Sequence, residues 1–138
     1  MSFDLKKYKR SLNVDPEATK ENVKLFLEVY RTARSKAGIY SDPEVNAVMN
    51  KVENDQTDFK NLHQLYINGM AAVEHTNPAK TDRRKQLFYL RYVLGYSVDT
   101  TAMQLSCCRS LLYEETAAAV AQFAEALNIL EMRVENGV

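Results

Sequence analysis

The chain is short of the residues that interrupt helices and of those that build catalytic centres. Four glycines and three prolines among 138 residues leave little punctuation. Many short strands joined by tight turns would need more of both, so long helices are expected. Only two cysteines occur, and they are neighbours, Cys107 and Cys108. They form no disulfide framework and lack the partner ligands of a zinc site. The two histidines, His63 and His75, stand far apart and poorly accompanied, so each is expected at a surface or an interface. A Gly-rich phosphate loop, metal-ligand spacing and a Ser/His/Asp order are all missing, so neither an enzyme nor a cofactor is expected. No apolar run approaches the ~20 residues of a membrane span. The opening MSFDLKKYKR shows no apolar signal-peptide core behind its charges. A cytoplasmic protein with no membrane partner is the expectation.

An excess of one charge is missing too. Eighteen Lys/Arg balance eighteen Asp/Glu, which argues against a strong nonspecific nucleic-acid binder. The charges are nevertheless segregated. Residues 1–36 carry nine basic against five acidic side chains, and residues 37–79 carry two against six. Residues 80–107 carry five against two, and residues 108–138 carry two against five. Contacts to phosphate would fall to the first and third blocks.

What is present is helical periodicity around one central stretch, GYSVDTTAMQLSCCRSLLYEE, residues 95–115. Its spacing is that of a helix, a tight turn and a second helix. Ser97 can cap a first helix over residues 98–105, since its hydroxyl can accept a backbone N–H that has no partner inside the helix. Val98, Ala102 and Leu105 recur on one face, and Ala102 is small enough for a close crossing. Ser106 and Cys107 make the turn, Cys108 stands at the cap and Arg109 opens the second helix. Leu112 points inward. Arg109, Ser110, Tyr113 and Ala117 point away, on the face that would enter a major groove.

The rest of the chain reads as helices bracing that unit. Residues 1–12 form a basic amphipathic segment with Phe3, Leu5, Tyr8 and Leu12. Asp15-Pro16-Glu17 starts a helix that carries Val23, Phe26, Leu27, Tyr30, Ala33 and Ala37 on one face and stops at Gly38. Ser41-Asp42-Pro43-Glu44 starts the next, with Val45, Val48, Met49, Val52, Phe59, Leu62, Tyr66, Met70 and Val73 inward and a kink across Asn54-Asp55-Gln56. Gly69 weakens it by about 1 kcal/mol relative to Ala. Thr76-Asn77-Pro78 ends it. A helix beginning at residues 80–82 points Leu87, Leu90, Val93 and Leu94 inward. Lys80, Arg83, Arg84 and Lys85 crowd its first turns as candidate phosphate contacts. The last helix keeps phase to about Met132, roughly 25 residues or ~38 Å. One all-α domain, a helical bundle, is expected: residues 1–79 as bracing helices, residues 80–138 as the helix-turn-helix and an extended C-terminal helix.

Gly95-Tyr96, Ala102, Leu105, Arg109-Ser110 and Tyr113 resemble the helix-turn-helix of sigma factor region four. The wider chain resembles the ArpU-type family of phage and prophage regulators of late and lysis genes. TKENVKLFLEVYRTARSKAG is similar to that family's opening helix, and Ser41-Asp42-Pro43-Glu44-Val45 to its next helix start. Arg91-Tyr92 and Phe123-Ala124 also fit, so the resemblance covers most of residues 16–127. It implies that Arg109, Ser110, Tyr113 and Glu114 face bases, with Ala117 on the same side, and that Ser97, Thr100 and Thr101 lie near phosphates. The chain departs from the family at Cys107, usually apolar, at Cys108, usually Ser, and at Glu114-Glu115, often basic. An acid in the groove can accept from cytosine N4 but repels phosphates. Double-stranded DNA is the expected partner, with RNA polymerase as a further contact and a homodimer as the assembly. The competing class is an all-helical protein-interaction factor of phage origin whose helix-turn-helix no longer reads DNA.

Overall fold

Asp15 starts the first helix as its sequence predicts. In the computed structural model, which describes residues 14–36 and 57–133, Asp15 Oδ1 accepts from the backbone N–H groups of Glu17 and Ala18, both at 3.1 Å. Proline follows at the first helical position, where its missing N–H removes nothing. The resulting helix, α1 (Pro16–Lys36), buries Val23, Leu27 and Tyr30 and half-buries Phe26 and Ala33. The basic arm at residues 1–12, the stop at Gly38, the start at residues 41–44, the inward positions Val45, Val48, Met49 and Val52 and the kink at residues 54–56 lie outside the described residues.

The second helix, α2 (Thr57–Ala72), places Phe59, Tyr66 and Met70 in the core, with Val73 just beyond its end. His63 stands on the same stripe and is fully buried, which excludes the surface half of the surface-or-interface position expected of it. Phe59, His63, Tyr66 and Met70 follow at steps of four, three and four, so one helical face carries them all. Tyr30 of α1 meets His63 in a hydrogen bond, hydroxyl to Nδ1 at 2.6 Å. Tyr30 and Tyr66 stack with their ring centres 4.8 Å apart.

A 3₁₀ turn, Pro78–Lys80, leads into α3 (Thr81–Phe88). This helix then widens into a π turn, Tyr89–Val93, from which Leu94 N–H reaches back to Tyr89 O at 2.9 Å. Leu87 and Val93 are buried as expected, but Phe88 is fully buried as well and Leu94 is 44% exposed. Two further helices follow, α4 (Val98–Gln104) and α5 (Arg109–Ala126).

α5 is the axis of the fold, with α1, α2 and α3 packed against it. They meet at Phe123, whose ring centre lies 5.8 Å from that of Phe26, 6.4 Å from Tyr66 and 5.0 Å from Phe88. Fully burying one such side chain is worth about 1.5–3 kcal/mol. The helix does not run to Met132. It stops at Ala126, because Asn128 adopts a left-handed conformation, φ 58°. Asn128 N–H bonds to Glu125 O, and Ile129 N–H bonds to Ala124 O. This pair of bonds satisfies carbonyls that would otherwise be left over at the helix end. The chain then returns along α1: Asp15 N–H bonds to Glu131 O at 2.7 Å, and Glu131 N–H bonds to Thr19 Oγ1 at 3.0 Å. The architecture is all-helical, and among the described residues no helix is long and apolar enough to cross a membrane.

Candidate functional site

The segment from Gly95 to α5 is positioned by its own backbone bonds. Gly95 takes φ +76°, a conformation open to glycine at little cost, and Tyr96 N–H closes back onto Leu90 O. Arg91 Nη1 donates to Tyr96 O at 2.7 Å and ties the same corner. Ser97 caps α4 as expected, its Oγ accepting from Thr100 N–H at 3.1 Å. α4 ends on a second left-handed residue, Ser106, φ 52°. Ser106 N–H bonds to Met103 O and Cys107 N–H to Ala102 O, the bond pattern also found at the end of α5. Cys108 occupies the cap position of α5 with extended backbone, and its side chain makes no cap bond.

The two faces of α5 differ sharply over its first turns. Leu112 is fully buried, and Glu115 and Thr116 are each 4% exposed. Arg109, Ser110, Tyr113, Glu114 and Ala117 are exposed, as expected of the outward face. Tyr113 and Ala117 also form one wall of a groove of about 290 Å³, opposite Pro16 and Lys20 of α1 and Tyr92. Burial pushes the Tyr92 hydroxyl pKa up, so this hydroxyl stays uncharged. Arg109 is paired with Asp99, across the turn on α4.

The adjacent acids Glu114 and Glu115 part company. Glu114 is exposed, whereas Glu115 lies under α3, where Arg84 Nε donates to its Oε2 at 2.6 Å. Arg83 Nη2 approaches the other oxygen at 3.9 Å and His75 Nε2 at 3.6 Å. Arg84 Nη1 also donates to Glu74 O at 2.7 Å. Arg84 is therefore engaged inside the protein, which corrects its expected place at a phosphate. The expected surface position of His75 is corrected in part: it is 20% exposed and Nδ1 accepts from Asn77 N–H.

Thr101 also departs from its expected place. It is fully buried and its hydroxyl donates to Ser97 O at 2.8 Å, so it cannot reach a phosphate. It takes the inward place on α4, while Val98, Ala102 and Leu105 are only half-buried. Ser97, Thr100 and Lys80 are exposed, and Arg83 and Lys85 are half-buried. The sequence pattern did not single out Asp99 or the Arg84–Glu115 pair. Glu115 stands three residues after Leu112 and four before Ala119, which was the signal that it shares their buried face.

Cys107 and Cys108 are free thiols, and among the described residues no group of three or more His, Cys, Asp or Glu side chains could hold a metal ion. No protein-family model matches the chain, and no curated protein and no solved structure matches it.

Proposed function

We propose that this protein binds double-stranded DNA through α4, the turn and α5 as a helix-turn-helix regulator of transcription. The observation that carries the reading is the exposed row Arg109, Ser110 and Tyr113 at the start of a helix whose opposite face is locked into the core. A major groove admits one helix, and an Arg at its start can donate two bonds to guanine O6 and N7. The burial of Glu115 supports the reading further, since only Glu114 of the two acids would meet the phosphates. Ser97, Thr100 and Lys80 remain as phosphate-side candidates. The resemblance to ArpU-type regulators supports a role at phage or prophage late genes, with RNA polymerase as a contact. A single unit reads few base pairs, which favours a homodimer.

The test is selection of duplexes from a randomised library, followed by gel shift at two salt concentrations. One enriched sequence is expected, with log affinity falling by about 0.9 per neutralised phosphate for each tenfold rise in salt. Arg109→Ala should relax the sequence preference. The second reading, a protein-interaction factor, is favoured by exposed apolar side chains on and just before α4: Met103 is 75% exposed, Leu94 44% and Tyr96 37%. Weak, salt-insensitive association with every duplex would favour it.

A further inference from the structure

Asp99 and Arg109 stand ten residues apart on the two arms of the turn, and their side chains pair although they are 71% and 63% exposed. Exposed pairs of this kind add little to stability. The consequence of this one lies in what it does to Arg109, the first residue of α5. Asp99 Oδ1 engages Nη2 of the guanidinium. Each terminal nitrogen carries two N–H groups, one for each edge it borders. A single contact at Nη2 therefore leaves one complete two-donor edge free, which is the fork that guanine O6 and N7 accept.

We infer that Asp99 is a positioning residue that sets Arg109 for guanine and penalises other sequences. The inference rests on the DNA-binding reading above. An unrestrained Arg side chain must lose its rotamer freedom on reaching a base, and one already held by a carboxylate loses less. The same carboxylate repels the phosphate backbone. On a duplex with guanine in place, the Arg109 bonds offset that repulsion. On any other duplex the repulsion stands alone. Asp99 should thus weaken sequence-independent binding while sharpening the choice of one base.

The experiment selects duplexes with the full-length protein. It then measures wild type, Arg109→Ala, Asp99→Ala, Asp99→Asn and Asp99→Glu on the enriched duplex, on single base-pair replacements of it and on random duplex. Wild type should prefer one guanine by about tenfold or more, and Arg109→Ala should lose that preference. Asp99→Ala and Asp99→Asn should lose most of the preference at that base pair alone and bind random duplex more tightly. Asp99→Glu should restore part of it. A merely structural role for Asp99 would lower the melting temperature and weaken binding to all duplexes alike, and that result overturns the inference. So does full retention of the guanine preference in Asp99→Ala. Failure of the wild-type protein to enrich any sequence overturns the DNA-binding reading itself, and the inference with it.

Discussion

Gly69 of α2 lies directly against the ring of Phe123 on α5. A β-carbon at position 69 would stand 2.5 Å from Phe123 Cδ2 and 2.8 Å from Leu127 Cδ1. The glycine that weakens α2 locally is thus what lets α2 approach the axis of the fold. Gly69→Ala should destabilise the protein by about 1–3 kcal/mol despite its better helix propensity, because the ring at the core has little room to move. Urea denaturation measures this, and a stabilised Gly69→Ala protein would refute the close approach.

Ser106 and Gly95 make the same kind of chain reversal with unequal ease. Ser106 holds φ 52° with a side chain attached, at a cost of about 1–2 kcal/mol for a residue in that region. Glycine removes the cost but has more freedom to lose on folding. Ser106→Gly should therefore stabilise by a net ~0.5–1 kcal/mol. Ser106→Val should destabilise, since β-branching is least compatible with that conformation. Thermal melts of the two variants should move in opposite directions.

Capping chemistry and residue spacing act within a turn or two, and what they govern was legible in the sequence. Asp15, Ser97, Leu112 and the stripes Val23–Leu27–Tyr30 and Phe59–Tyr66–Met70 belong to that class. The end of α5 does not. Leu127 and Leu130 keep helical phase, but Asn128 turns the chain back to α1, where Asn22 Nδ2 donates to Ile129 O across 107 residues of sequence. The partners of His63 and Glu115, Tyr30 and Arg84, are 33 and 31 residues distant. A polar residue on an apolar stripe announces that a partner is needed without naming it. At the candidate interface the outward residues were legible and the Asp99 partner of Arg109 was not, since periodicity describes each helix separately.

His63 makes the fold sensitive to acid. Burial lowers its pKa from the ordinary 6.5, and the charge of Arg34 lowers it further. The folded protein therefore favours the neutral ring. The stabilisation from this group is fully present above pH 6.5 and is lost as the pH falls from there through the lower folded value. Urea midpoints should be flat between about pH 7 and pH 8 and decline toward about pH 5, to the extent that one group titrates. His63→Gln, which keeps a hydrogen-bonding partner for Tyr30 but cannot titrate in this range, should flatten the decline. An unchanged pH profile in that variant would assign the acid sensitivity elsewhere.

Glu115 should matter more as a partner than as a charge. Removing it by Glu115→Ala leaves the Arg84 guanidinium, 14% exposed, beside a hole that its carboxylate partner filled. Uncompensated, such a group costs on the order of 3 kcal/mol. Arg84→Met should cost less, because Arg83 and His75 remain beside the other carboxylate oxygen of Glu115, at 3.9 and 3.6 Å. The double variant Arg84→Met/Glu115→Leu removes both charges from the same interface between α3 and α5. It should recover most of the loss, since a buried pair and a well-packed apolar pair of similar volume differ little in stability. A double-mutant cycle in urea measures the coupling. Additive losses would mean that the two residues act independently.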